Sequence, residues 1–284
     1  VVGFATCAEG RREVATAPFI ELRRVTKSFP RDRGGEIAVV EPLSLAIGEG
    51  EFVVFVGPSG CGKTTVMRLV GGLETPTRGE ILLAGRPVLG PSREKGMVFQ
   101  SYSSFPWLTV QGNIRFGLRY RQDVTAAEKD RITRHYLELV GLAPYADFFV
   151  TRISGGMRQR VAIARTLAAD PLVLLMDEPF GALDALTRER LQMQLLALRR
   201  TERKTVIFVT HDVDEAVLLA DRIVVFSARP ARVLRDVAVT GVLPADRTLD
   251  VVEEPAFRRL RHEVLALIRD EEVRAEATDL AGAA

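Results

Sequence analysis

Short aliphatic runs bounded by turn-forming residues set the rhythm of this chain. Phe52–Val56, Leu172–Met176, Thr205–Val209 and Arg222–Phe226 are nearly continuous in apolar residues and do not alternate with polar ones. That is how strands covered on both faces read, as in a parallel sheet. Between these runs the period lengthens to that of a helix: Leu191, Leu195 and Leu198 share one face, and Val213, Val217 and Ala220 another. Ahead of Phe52, Ile20–Phe29 and Ile37–Ile47 read as strands joined by a turn at 31–35, and Gly79–Gly85 reads as a short strand bounded by glycines. From about Ser101 to Ile153 the pattern is polar and helical, with Ala126–Val140 marked by Ile132, Tyr136, Leu139 and Val140. A last helix is predicted from Pro255 to about Glu272, with Phe257, Leu260, Val264, Leu267 and Ile268 on the side that packs onto the body. Strand–helix alternation predicts an α/β fold with a mostly parallel sheet, interrupted by a helical insertion.

The run Phe52–Val56 leads into Gly57-Pro58-Ser59-Gly60-Cys61-Gly62-Lys63-Thr64, a complete G-x-x-x-x-G-K-[ST] phosphate-binding loop, and a helix start at Thr65 follows. Glycines let consecutive N–H groups point inward, and the helix N-terminus adds partial positive charge. Lys63 is placed to reach the β- and γ-phosphates of a nucleotide and the Thr64 hydroxyl to ligate Mg²⁺. Cys61, inside the loop, suggests that thiol reagents block nucleotide binding.

A second chemical cluster ends the run at Met176: Asp177 and Glu178 stand together before Pro179, at the carboxyl edge of a parallel strand, where ligands bind. Neighbours on a strand face opposite ways, so Asp177 is expected to hold Mg²⁺ through water while Glu178 faces the γ-phosphate and polarises the attacking water. Further on, Ser154-Gly155-Gly156 opens a helix whose apolar face is Met157, Val161, Ala164 and Ala168. Ser154 is either a simple N-cap or part of a second anion site at a helix terminus.

Composition narrows the setting. At 284 residues the chain can bury a full core; 47% hydrophobic and 27% charged residues are ordinary for a globular protein. With 39 basic and 37 acidic residues, charge argues neither for nucleic acid nor for a membrane surface. The two cysteines, Cys7 and Cys61, give no disulfide framework and fit a reducing compartment. No apolar run approaches the roughly 18 residues that span a bilayer. Residues 1–18 lack the apolar core of a signal peptide and are expected to be a flexible tail.

Taken together, these motifs resemble those of one family, the ATPase subunit of ATP-binding-cassette (ABC) transporters. The phosphate loop, Gln100 after Met97-Val98-Phe99, Ser154-Gly155-Gly156, Asp177-Glu178, Gly181-Ala182-Leu183-Asp184 and Thr210-His211-Asp212 stand in the family's order, and the resemblance covers about residues 20 to 230. It implies a P-loop NTPase (RecA-like) core, an antiparallel β subdomain and an α-helical subdomain inserted at about 101–160. An ATPase domain would run over 19–240, with a one-helix extension over 241–284. It also implies ATP and Mg²⁺ as ligands. Gly57 to Thr65 would hold the phosphates, with Thr64, Gln100 and Asp177 around the metal. Glu178, His211 and Gln100 would be catalytic. Ser154, Gly155, Gly156 and Asp184 would act across a dimer interface, and Phe29 would stack on adenine, although as a bare residue Phe29 could equally be core. Met157 departs from the commoner glutamine beside the signature.

The implied partners are a second copy of the chain, integral-membrane permease subunits and, indirectly, a periplasmic or lipoprotein solute-binding protein, at the cytoplasmic face of the membrane and without nucleic acid. Phe105, Pro106 and Trp107 form an apolar stretch that could meet the permease or pack locally. Ser104–Val110 with Asn113, Ser154–Arg160 and Ser227–Arg232 most resemble the nitrate, taurine and aliphatic-sulfonate importer branch. An exporter or lipid-transport ATPase is the competing class. A soluble cassette protein acting on DNA or the ribosome fits less well, because neither a long inserted coiled coil nor a second cassette is present.

Overall fold

The computed structural model of the chain describes residues 17–31, 34–100, 103–202 and 204–282. In chain order its elements are β1 (Ile20–Pro30), β2 (Glu36–Ile47), β3 (Phe52–Val56), α1 (Lys63–Gly71), β4 (Arg78–Leu83), β5 (Arg86–Pro87), β6 (Lys95–Val98), α2 (Val110–Gly117), α3 (Ala126–Leu139), α4 (Gly155–Ala168), β7 (Val173–Asp177), α5 (Ala185–Glu202), β8 (Thr205–Val209), α6 (Val213–Leu219), β9 (Arg222–Phe226), β10 (Val233–Ala238) and α7 (Pro255–Gly282). Two sheets result. The larger has the order β10-β9-β3-β8-β7-β6, parallel throughout except for β10. The smaller, β2-β1-β4-β5, is antiparallel.

The continuous apolar strands serve two cores at once. On β3, Phe52, Val54 and Val56 face one core together with Leu174, Met176 and Phe208. Val53 and Phe55 face the other with Val173, Leu175, Ile207 and Val209. This is the two-residue strand period expressed in a sheet buried on both sides. The first core is closed by α4, α5, α6, α7 and the inserted helices. The second is closed by α1, through Val66, Met67, Leu69 and Val70, and by the inner face of the small sheet. Helix α1 is therefore clamped between two sheets, and the phosphate loop at its N-terminus inherits that rigidity.

Four elements escaped the hydrophobic pattern: β5, β6, β10 and α2. β6 is four residues long and includes Lys95 and Gly96, whereas β10 is an edge strand whose Arg235 and Asp236 are exposed. Both are held by neighbours, not by their own apolar content. Helix α4 runs unbroken across residue 160, and α7 continues past the predicted end at Glu272 to Gly282. Most of the expected tail, 1–16, lies outside the described residues.

At the start of α7, Phe257 is 1% exposed and Val264 is fully buried, both in the first core. Phe257→Ala is expected to destabilise the protein by about 3–5 kcal/mol through the cavity it leaves, read as a lower urea midpoint with an unchanged slope.

Candidate active site

In a parallel sheet every strand ends at the same edge, so residues distant in sequence converge there. Beyond β3 comes Gly57, beyond β6 Gln100, beyond β7 Glu178, and beyond β8 Thr210 and His211. Gly57 has φ 147°, and a Cβ there would lie 2.7 Å from the Phe226 carbonyl oxygen, so only glycine lets the loop leave β3 this way. Gly62 caps α1 at φ 116°.

Lys63 is 7% exposed, and its Nζ donates to the carbonyls of Gly57 and Pro58, each at 2.8 Å. The ammonium is thus curled into its own loop. Thr64 Oγ1 donates to Asp177 Oδ1 at 2.9 Å. With its proton spent on the carboxylate, the hydroxyl keeps lone pairs for a cation. Asp177 is 3% exposed; burial raises its pKa above the ordinary carboxylate value, and the Thr64 hydrogen bond only partly opposes this. A carboxylate so short of solvation suits a bound cation. Thr64 and Asp177 are the residues that would hold Mg²⁺ beside substrate phosphates.

Glu178 is the meeting point of the predicted catalytic residues. Its Oε2 accepts from Gln100 Nε2 at 3.0 Å and lies 3.3 Å from His211 Nδ1. The expected opposition of two strand neighbours is realised differently. β7 ends at Asp177, and Glu178 adopts φ 44°, in the left-handed region that non-glycine residues seldom occupy. Its N–H still donates to Val209 O at 2.9 Å, so the sheet ladder holds the turned residue in place. Local strain at this position separates the two acids.

The turn carrying His211 is anchored from below. Thr210 Oγ1 donates to Glu215 Oε2 at 2.8 Å, and Asp212 caps α6 by accepting from the N–H groups of Asp214 and Glu215. Burial raises the Glu215 pKa against the Thr210 hydrogen bond. Sequence reasoning passed over Glu215, although the Asp212-x-x-Glu215 spacing is a helix-start signal.

A cavity of about 410 Å³ is lined by Phe29, Val39, Ser59, Gly60, Gly62, Lys63, Thr64, Thr65, Gln100, Glu178 and Arg229. Phe29 is half-buried at one wall, with Lys27 Nζ 4.6 Å from its ring centroid. Cys61 does not line the cavity: it is 1% exposed and packs in the second core, so a thiol reagent reaches it only if the loop opens. Val39 and Arg229 were not anticipated.

The sequence model of the family described as ABC transporter matches residues 40–181. An uncharacterized ABC transporter ATP-binding protein of Methanocaldococcus jannaschii is 44% identical over 252 residues, 89% of this chain and 92% of the relative. The chain belongs to the ABC transporter ATP-binding family. Two further relatives are 42% identical: a nitrate import ATP-binding protein of Synechocystis sp. (89% of this chain, 96% of the relative) and a taurine import ATP-binding protein of Jannaschia sp. (89% and 95%). Among solved structures, the dimeric post-hydrolysis state of an ATP-binding cassette bound to ADP and phosphate superposes with a TM-score of 0.72 at 33% identity, covering 78% of this chain and 99% of that one. The chain is an ABC ATPase.

The remaining motifs of the cassette lie away from the cavity. Ser154 is exposed and caps α4, its Oγ accepting from Met157 N at 3.3 Å. Gly155 and Gly156 form the first turn, and a Cβ on Gly156 would sit 3.3 Å from the Ala182 carbonyl oxygen, next to the loop that carries Asp184. Asp184 accepts from Thr187 N at 3.0 Å, and its bonds to the Thr187 N–H and hydroxyl hold its carboxyl below the usual range, so it stays charged.

Helix α4 is tied to the strand that presents Gln100. Buried Gln159 donates to Phe99 O at 3.4 Å, and Arg165 donates to Ser103 O and Oγ, both at 2.8 Å. The apolar stretch after Gln100 divides. Phe105 packs between Phe116 and Trp107 beneath the Arg165 guanidinium, while Trp107 is 69% exposed.

Because burial penalises the charged form of Asp177, the ligand-free wild type loses stability as pH rises through the raised pKa of this group, whereas an asparagine does not titrate. Asp177→Asn is therefore expected to melt at a higher temperature than wild type at pH 8. The difference should shrink as pH falls toward the ordinary carboxylate range, with thermal melts as the measurement.

Proposed function

We propose that this cassette is the ATP-hydrolysing subunit of an importer for a small anion such as nitrate, taurine or an alkanesulfonate. In this reading two copies close around two MgATP at the cytoplasmic face of a membrane. They drive separate permease subunits that receive solute from a periplasmic or lipoprotein solute-binding protein. The observation that carries it is the convergence of Gln100 and His211 on Glu178, beside Lys63, Thr64 and Asp177. The nitrate and taurine import functions of two relatives of nearly equal length support the branch.

The chemistry assigned to the residues is as follows. The N–H groups of 57–65 cradle the triphosphate, and Lys63 exchanges its loop carbonyls for phosphate oxygens. Magnesium, when bound, neutralises charge developing on the phosphates and the leaving oxygen. Glu178 orients and polarises a water for in-line attack on the γ-phosphorus, the bond to the β–γ bridging oxygen breaks, and ADP leaves. His211 steadies both the water and the γ-phosphate, and Gln100 links this group to the inserted helices. Phe29 stacks on adenine.

Ser154, Gly155 and Gly156 of one copy complete the phosphate site of the other, with Asp184 crossing between them. The exposure of Ser154 and Asp184 on a single chain, with the two glycines half-buried, supports this, as does the dimeric neighbour structure. The ATPase domain is taken as 19–240, ending in the turn after β10, with α7 in the 241–284 extension. Exposed Trp107, Tyr145, Phe148 and Phe149 support a permease-facing surface, since a bridge between Thr109 and Phe149 sets the two segments side by side.

Glu178→Gln is expected to lower ATP turnover by about 10²–10⁴-fold, roughly 3–5 kcal/mol of barrier. It should retain ATP and accumulate as a dimer in size-exclusion light scattering with MgATP. A monomer at saturating MgATP would contradict the shared site. Ser154→Arg is expected to abolish turnover while sparing ATP binding to the monomer, and normal turnover in that variant would leave Ser154 only its role as a helix cap.

A further inference from the structure

The segment Ser227–Arg232 follows β9 and wedges between the phosphate loop and the small sheet. Ala231 is fully buried; its N–H donates to Val39 O at 2.8 Å and its carbonyl accepts from Glu41 N at 3.1 Å. The Ala231 methyl lies 3.1 Å from where a Cβ on Gly62 would stand, so this segment touches the last glycine of the phosphate loop. Ser227 Oγ accepts from Arg232 N at 3.1 Å and closes the segment on itself.

From the other side comes α7. Its Glu271 is 4% exposed, accepts from Ala228 N through Oε2 at 3.2 Å, and pairs through Oε1 with Arg274 at 2.9 Å. A buried carboxylate that accepts from a backbone N–H while its other oxygen pairs with an arginine is a strong fixing device, because the group is costly to leave unpaired. The backbone on both sides of Arg229 is thereby pinned, by Ala231 after it and by Ala228 before it. The Arg229 side chain is exposed, has no hydrogen bond or ion pair among the described residues, and lines both the nucleotide cavity, beside Ser59, Gly60 and Lys63, and the adjoining cavity that Glu271 also lines. A held backbone thus keeps an unpaired guanidinium at the rim of the cavity that the phosphate loop lines. The planar fork of arginine matches phosphate oxygens.

We infer that Arg229 is a further nucleotide-binding residue whose guanidinium pairs with the phosphate chain of ATP, and that Glu271 is a positioning residue holding the Arg229 segment in place. The inference rests on the nucleotide-site reading above and adds to it a residue outside the motifs, reached from the C-terminal helix.

The test is equilibrium binding to the full chain, with ATP and adenosine each competing against a fluorescent ATP analogue. Arg229→Ala is expected to weaken ATP by about five- to tenfold and leave adenosine competition unchanged, with Arg229→Lys between it and wild type. Unchanged ATP affinity, or an equal loss for adenosine, overturns the phosphate contact. Glu271→Ala is expected to weaken ATP by about two- to threefold when Arg229 is present and not at all in the Arg229→Ala background, with Glu271→Gln restoring most of the loss. Equal losses in both backgrounds would mean that Glu271 acts only on the fold and would overturn its positioning role. A wild-type chain that melts cooperatively yet fails to bind ATP overturns the nucleotide-site reading itself, and is told apart by that control.

Discussion

The hydrogen bond from Thr64 to Asp177, at 2.9 Å, joins the two halves of the site, and much else depends on it. One partner opens α1 and the other ends β7, so the bond exists only because β3 and β7 run parallel with β8 between them and finish at one edge. It ties the loop that cradles phosphates to the strand that delivers the carboxylates. Burial of Asp177 disfavours its charged form, and this hydrogen bond only partly opposes that. Burying a carboxylate in this way costs stability, a common arrangement where stability and function compete.

Rigidity around that bond is uneven in a useful way. Helix α1 is buried between two sheets, so the phosphate loop has little freedom. Glu178, by contrast, is reached by two groups on separate segments, Gln100 beyond β6 and His211 beyond β8. Movement of either segment alters the environment of the same carboxylate. Gln159 and Arg165 of α4 donate to the backbone at Phe99 and Ser103, on either side of Gln100, and so join the inserted helices to the segment that reaches Glu178. The helix so connected is the one that Ser154 caps.

The C-terminal helix enters the same economy from the opposite side. Phe257, Leu260 and Val264 seat α7 on the first core, while Glu271 reaches the segment behind the phosphate loop. An element that looks like simple packing in sequence therefore touches two separate parts of the molecule. Its polar contact, unlike the apolar stripe, has no periodicity by which it could be noticed.

Much of the fold, and the convergence of the candidate residues at one sheet edge, was legible in the residues. The aliphatic strands, the glycine-rich loop, the paired acids and the capping serine each carry a local signature, because doubly covered strands must be apolar and phosphate loops must be glycine-rich. That is why β3, β7, β8 and β9 and the positions of Lys63, Thr64, Asp177 and Glu178 were found from sequence alone. What tertiary structure decided has no such signature. Edge strand β10 and the short β6 exist through their neighbours' hydrogen bonds. The left-handed turn at Glu178 is imposed by the sheet ladder, the burial of Cys61 by the clamping of α1, and the place of Arg229 in the cavity by the fold-back of a segment onto β2. Periodicity and motif report what a residue does with its near neighbours along one element; contacts between separate segments are set only when the sheets assemble.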